Sequence, residues 1–385
     1  MWLSATILFT TSLPSYANKL SQNSEFADLS LNEKQQSVAD ELDRFFSEIP
    51  EFSGVVLVTD RGAPIYKRAL GWRDFSTDSP MREDSIFELA SVSKPFTAMA
   101  VLLLVKDGVI SLDDPLEKHI PGLEYDGVTI RHLLTHTSGV PDYMKIMSRH
   151  WDKRNVAVNA DAISYLKQYR PEVLFKPGED YKYSNTGYLL LASIVEAASG
   201  QDFADFSRQR IFAPLEMNDT DIRNHTDWDK IDRFAVGFKK NRWSGKYVRA
   251  VDVHGDSYAV WLGGRYGPGR VSSTVDDLSK WDRSLYTEKL ISYDLIEAAF
   301  TKGVLNNGVQ IDYGFGWFIE GEDHPLGKIV HHSGGNPGIA TSILRCIESD
   351  IAVIVLNNTG GFEVISSLNE KLVKELLAQL RLEGE

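Results

Sequence analysis

The stretch from 96 to 105 constrains this chain more than any other. Phe96, Ala98, Met99, Ala100, Val101, Leu102, Leu103, Leu104 and Val105 are apolar on nearly every face of a helix, and Lys106-Asp107-Gly108 stops the run. Such a helix is buried, so the rest of the chain has to wrap it. Pro95 suits a first turn, where its missing N–H would have lacked a partner anyway, and this puts Ser91 of Ser91-Val92-Ser93-Lys94 at or just before the helix N-terminus. A helix turns once in about 3.6 residues, so positions 91 and 94 share a face and a lysine amine comes within reach of a serine hydroxyl. Serine needs a base to act as a nucleophile, and a lysine desolvated in a pocket can lose its own proton and serve as one. The positive end of the helix dipole also favours negative charge developing there. A capping serine followed by an ordinary lysine is the commoner reading of Ser-x-x-Lys alone, which occurs often by chance.

Composition narrows the classes. With 385 residues, 43% of them hydrophobic, a sizeable core forms without staples. The net charge of −13 and the lack of any Lys/Arg block argue against nucleic acid as a partner. The single cysteine, Cys346, excludes an intrachain disulfide and a cysteine-based zinc site, and its apolar, strand-like setting makes it a filler. Residues 2–13 are uncharged and too short to span a bilayer, and Ser15-Tyr16-Ala17 has the small-x-small form of a cleavage site. The expectation is a signal peptide over 1–17, with only the terminal amine as its positive charge. A secreted or periplasmic protein without a membrane anchor would follow.

Periodicity gives the organisation. Val38, Leu42, Phe45, Phe46 and Ile49 follow helical spacing within 33–49. Two strand-like runs flank Asp60-Arg61-Gly62-Ala63-Pro64 and read as a hairpin. Short helical patches joined by Pro/Gly/Asp loops fill 111–270. Thr274-Val275-Asp276-Asp277 opens another helix in capping-box fashion, 328–333, 340–347 and 351–356 have strand composition, and 363–380 is a final amphipathic helix. Strands at both ends predict an α/β (α+β) fold. One mostly antiparallel sheet is built from 33–110 and 271–385, flanked by the terminal helices, with 111–270 inserted as a mostly helical lobe. A cleft between lobes is where a site is expected.

Two further segments carry chemistry. Tyr183-Ser184-Asn185 precedes a helix beginning near Gly187; it is a capping sequence, or it supplies a phenol that moves a proton and an amide that holds a substrate or a lysine. His332-Ser333-Gly334-Gly335-Asn336-Pro337-Gly338 ends a strand on consecutive small residues, which fits a turn or the close approach of a ligand or another backbone.

The three segments in this order resemble the Ser-x-x-Lys, Tyr-x-Asn and Lys/His-Thr/Ser-Gly elements of the serine hydrolases related to penicillin-binding proteins and class C β-lactamases. The segments 87–97, 130–141 and 183–191 are also similar to signatures of that family, and the likeness extends over about 33–380. It implies a β-lactamase/transpeptidase-like fold and an acyl-enzyme mechanism without cofactor or metal. Ser91 would be the nucleophile, Lys94 its proton acceptor or activator, and Tyr183 the group that passes a proton to the leaving group. Asn185, His332, Ser333 and Gly334 would contact substrate, with backbone N–H groups of Ser91 and Gly335 as the oxyanion hole. Whether Lys94 or Tyr183 is the base stays open. The expected partners are small-molecule or peptide substrates, D-amino-acid peptides ahead of simple esters, with β-lactams as covalent ligands; oligomeric state is not legible.

Two departures matter. His332 stands where class C β-lactamases usually carry lysine, and a histidine titrating near 6.5 offers a substrate carboxylate less permanent charge at neutral pH, which disfavours efficient β-lactamase activity. Arg270 stands where many relatives have the second glycine of a pair; the expectation is a surface arginine, with a pocket-lining one as the alternative. His132 and His136 share a helical spacing, but Leu133 occupies the place of the zinc-peptidase glutamate, so packing and loop hydrogen bonds are expected of them. The glycines of 263–269 read as a loop over the cleft.

Overall fold

A computed structural model describes residues 31–253, 258–321, 324–361, 365–366 and 377–380. The expected signal peptide lies outside these residues, as does most of the expected final helix. Of that helix, residues 365–366 are helical and Leu377–Leu380 form a 3-10 turn.

The first helix, α1 (Glu33–Ser47), starts on a reciprocal cap between Asn32 and Gln35 and turns Val38, Ala39, Leu42 and Phe46 inward. The hairpin follows as β1 (Gly54–Asp60) and β2 (Ala63–Leu70). A two-residue strand, β3 (Phe87–Glu88), leads through a 3-10 turn at Ala90–Ser93 into α2 (Lys94–Lys106). The inserted stretch supplies α3 (Ile130–Leu134), α4 (Tyr143–His150), α5 (Asn159–Tyr169) and α6 (Asn185–Ser199), then the short strand β4 (Asp221–Ile222). The chain returns through β5 (Val271–Ser273) and α7 (Val275–Ser284), capped by Thr274, to β6 (Phe318–Glu320), β7 (Ile329–Asn336), β8 (Ile339–Cys346) and β9 (Ile351–Asn357).

Six strands pair in the order β6-β7-β8-β9-β1-β2, every neighbour antiparallel, so the two ends of the chain meet in the β1–β9 pairing. Side chains alternate across a strand, and here both faces are covered. Val55 and Leu57 of β1, with Ile354 and Leu356 of β9, face the core that holds α2 and α6. Val56 and Val58, with Val353 and Val355, face a second core closed by α1. This two-sided burial explains why the central strands read as unbroken apolar runs. Cys346 fills the second core, where burial pushes its thiol up to about 12, in keeping with its reading as a filler.

The apolar helix behaves as its composition requires: all residues of α2 from Lys94 to Leu104 are buried. A second small sheet, β3-β5-β4, pairs the strand just ahead of Ser91 with the strand just after Arg270. That pairing brings two loops distant in sequence to the N-terminus of α2.

Candidate active site

One local and two long-range approaches assemble the site around Lys94. Its Nζ lies 3.1 Å from Ser91 Oγ, 2.9 Å from Asn185 Oδ1 and 3.1 Å from the Pro268 carbonyl oxygen. The amine is fully buried and sits 4.6 Å from the centre of the Tyr183 ring. Tyr183 in turn has its phenol near enough to Ser91 for the hydroxyl to act on it. Ser91, Lys94, Tyr183 and Asn185 are therefore together, as the sequence led one to expect. Both readings of the Tyr183 segment hold at once, because Ser184 caps α6 by accepting the Gly187 N–H at 3.1 Å while its neighbours face Lys94.

Local backbone explains the placement of Ser91. Ala90, 2% exposed, has φ +48°, a conformation that a side chain adopts only where surroundings enforce it. The enforcement comes from β7, which lies against the turn: a Cβ on Gly334 would meet the Leu89 carbonyl oxygen at 2.2 Å and the Ser91 nitrogen at 2.9 Å. Glycine at 334 is a condition for that approach. Ser333 is partly exposed beside it, and Gly335 pairs with Ala340 in the ladder.

Electrostatics divides the two candidate bases. Burial, then the charge of Arg265, drives the Lys94 amine well below its ordinary value. No carboxylate pairs with it among the described residues. The faces of Tyr183 and Tyr188 favour an ammonium by about 0.5–2 kcal/mol each, but desolvating an unpaired ion costs several kcal/mol, so the neutral amine is favoured. Burial pushes the Tyr183 phenol the opposite way, above its usual range.

His332 does not carry the role expected of a histidine titrating near 6.5. It is 1% exposed, and burial together with the nearby Lys94 drives its imidazole well below 6.5, so it is neutral at physiological pH. Its Nδ1 is 2.7 Å from the Ser333 carbonyl oxygen, which fixes the proton there, and Nε2 accepts from the Tyr313 hydroxyl at 3.2 Å. Tyr313, buried beside Tyr188, belongs to no sequence motif and was not foreseen. His136 has a related supporting place: its Nδ1 accepts the Ser184 N–H at 3.0 Å and its ring packs 4.4 Å from that of Tyr183. His132 caps its own helix at Thr129. Both rings have the packing and loop hydrogen bonds expected of them.

Arg270 is likewise corrected from a surface arginine. It is 1% exposed, at φ +82°, with Nη1 3.3 Å from Oε1 of Glu88, itself 1% exposed. Glu88 Oε1 also accepts from Asn336 Nδ2 at 2.7 Å, and Arg270 Nη2 donates to the Ala259 carbonyl at 2.7 Å. Glu88 stands three residues before Ser91, Arg270 two after Pro268, and Asn336 at the end of β7. One buried cluster thus ties together the three segments that meet at Ser91. The 263–269 segment is a loop whose Pro268 carbonyl reaches Lys94, and it is fastened to α5 by the Tyr266 N–H, which donates to Asn159 Oδ1 at 2.8 Å.

Fold and side chains define an active-site serine hydrolase. The chain belongs to the Beta-lactamase family, whose sequence model matches residues 42–378. Penicillin-binding protein 4* of Bacillus subtilis (strain 168) is 41% identical over 309 residues, which cover 80% of this chain and 68% of that protein. D-aminopeptidase of Brucella anthropi is 26% identical over 327 residues, covering 83% of this chain but only 59% of its own length. Among solved structures, the octameric penicillin-binding protein homologue from Pyrococcus abyssi superposes with a TM-score of 0.73 at 26% identity, over 89% of this chain and 78% of that one.

Proposed function

We propose that this hydrolase cleaves acyl-D-amino-acid peptides through a covalent acyl-enzyme on Ser91, with neutral Lys94 as the base. The observation that carries this is the set of partners of the amine. A neutral amine has two N–H donors and one lone pair; Asn185 Oδ1 and the Pro268 carbonyl only accept, so they occupy the two donors, and the lone pair is left for the Ser91 hydroxyl.

In the forward half-reaction Lys94 takes the hydroxyl proton as Oγ bonds to the substrate carbonyl carbon. Charge on the carbonyl oxygen is met by the N–H groups of Ser91 and Gly335. The C–N bond then breaks, the leaving amine takes the Tyr183 proton, and the Lys94 ammonium returns one to the phenol. A phenol kept protonated by burial suits that relay. Water repeats the sequence on the ester and restores the Ser91 hydroxyl. Asn185, Ser333 and Gly334 line the path of the acyl chain, while His332 acts through its neutral ring and β-lactams are slow covalent ligands. The names of the penicillin-binding protein and D-aminopeptidase relatives support D-amino-acid substrates, and the leader peptide expected from the sequence supports work in the periplasm or outside the cell.

A panel of acyl-D-Ala-D-Ala, D-Ala amide, a p-nitrophenyl ester and nitrocefin tests the reading. Acyl-D-Ala-D-Ala is expected to give the highest kcat/KM with its L-twin inert, and nitrocefin the lowest. Fast nitrocefin turnover, or equal use of the L-twin, would overturn it.

A further inference from the structure

Three arginines are buried among the described residues, and they are not alike. Arg345 has Asp282, with Nε 2.5 Å from Oδ1, and Arg270 has Glu88. Arg265, 8% exposed, has no carboxylate within ion-pair distance among the described residues. Its Nε donates to the Leu262 carbonyl at 3.2 Å, and Nη1 donates to the Tyr143 hydroxyl and lies 3.8 Å from Met144 Sδ. Its guanidinium carbon is 5.8 Å from the Tyr143 ring centre. Every partner is neutral, and Nη2 is left without a hydrogen bond among the described residues. Taking a cation out of water without a counter-charge is costly, and such arrangements persist where a ligand supplies the missing charge.

The position points to the substrate. Arg265 lies on the loop whose Pro268 carbonyl receives Lys94. Its partner Tyr143 donates its backbone N–H to Thr186 Oγ1 at 3.0 Å, next to Asn185. The guanidinium is therefore on the Asn185 side of the site, near enough for its charge to act on Lys94. The two other places where a substrate carboxylate would find positive charge do not offer it: His332 is neutral and Arg270 is already matched by Glu88.

We propose that Arg265 is the cation that receives a carboxylate of the substrate, so that this site selects anionic acyl compounds over neutral ones. The inference rests on the acyl-enzyme reading above and names the substrate class for it. A planar guanidinium with free N–H groups suits a carboxylate better than an ammonium would. The carboxylate belongs either to the departing end of the peptide or to its acyl group.

Two pairs of thioesters separate these sources, one pair with carboxylate or carboxamide on the leaving group, the other with the same exchange on the acyl group. Both are measured at a pH on the plateau of the carboxamide profile, because Arg265 also acts on Lys94. In the wild type one pair should show a carboxylate/carboxamide ratio of kcat/KM well above one. Arg265→Gln should lower that ratio about 10²-fold, mainly through KM, as for truncation of one partner of a buried charge pair. Arg265→Lys, which keeps the charge but not the fork, should lower it less, by about 10-fold. A wild-type ratio near one for both pairs, or a ratio unchanged within about threefold in either variant, would overturn the proposal. A neutral fluorophosphonate followed by intact mass keeps the two levels apart. A Ser91 adduct with an unaffected ratio removes only the role of Arg265, whereas no adduct in the wild type removes the acyl-enzyme reading and this inference with it.

Discussion

Arg265 and Arg270 stand five positions apart on one loop, are both buried, and have opposite surroundings. Arg270 meets Glu88, both of them buried, and through it Asn336, which is partly exposed. Arg265 meets a phenol, a carbonyl and a thioether. The difference separates a charge that holds the scaffold from a charge held ready for something that arrives. Arg345 on β8, matched by Asp282 of α7, belongs with Arg270. Where the fold needs a buried arginine for itself, it supplies the carboxylate.

The largest expected effect is on stability. Glu88→Ala leaves Arg270 buried without a counter-charge and should cost about 3–5 kcal/mol in denaturant unfolding. Arg265→Gln removes a charge that has no partner and should cost no more than about 1–2 kcal/mol, for the Tyr143 hydroxyl it leaves behind. Equal losses would erase the distinction between the two arginines.

A second variant reaches the strand held by Asn336 without touching either charge. In Gly334→Ala the new Cβ would fall 2.2 Å from the Leu89 carbonyl oxygen, so β7 has to move away from the Ser91 turn. Stopped-flow acylation should fall by about 10²–10³-fold, the usual loss for one oxyanion donor, with both members of a carboxylate/carboxamide pair affected alike. A drop confined to the carboxylate substrate would mean that the strand, rather than Arg265, reads the charge.

How much of this was visible in the sequence follows from the range of each interaction. The burial of α2, the hairpin of β1 and β2 and the Ser91–Lys94 approach are local, set by periodicity and by a three-residue spacing. The Tyr183 and Gly334 segments were recognisable as motifs, though their convergence on Lys94 needed the fold. Pro268 as an acceptor was not legible, since its contact spans 174 positions and uses a backbone oxygen that any residue would offer. Tyr313 carries no motif either. His332 and Arg270 went astray for one shared reason: their free-solution properties, a pKa near 6.5 and a preference for the surface, were carried into places where burial changes the first and Glu88 cancels the second.

The central claim, a serine acylated with the help of an uncharged lysine, is tested most directly by single-turnover acylation followed by intact-protein mass across pH, in the wild type and Ser91→Ala. Because burial drives Lys94 well below 10.5, the base form is present at a pH well under that at which a free lysine loses its proton, so one acyl group should add to the wild type there and none to Ser91→Ala. The rate should fall only as acid protonates the amine. An adduct surviving in Ser91→Ala, or a wild-type rate that keeps climbing until pH approaches 10.5, would contradict the account.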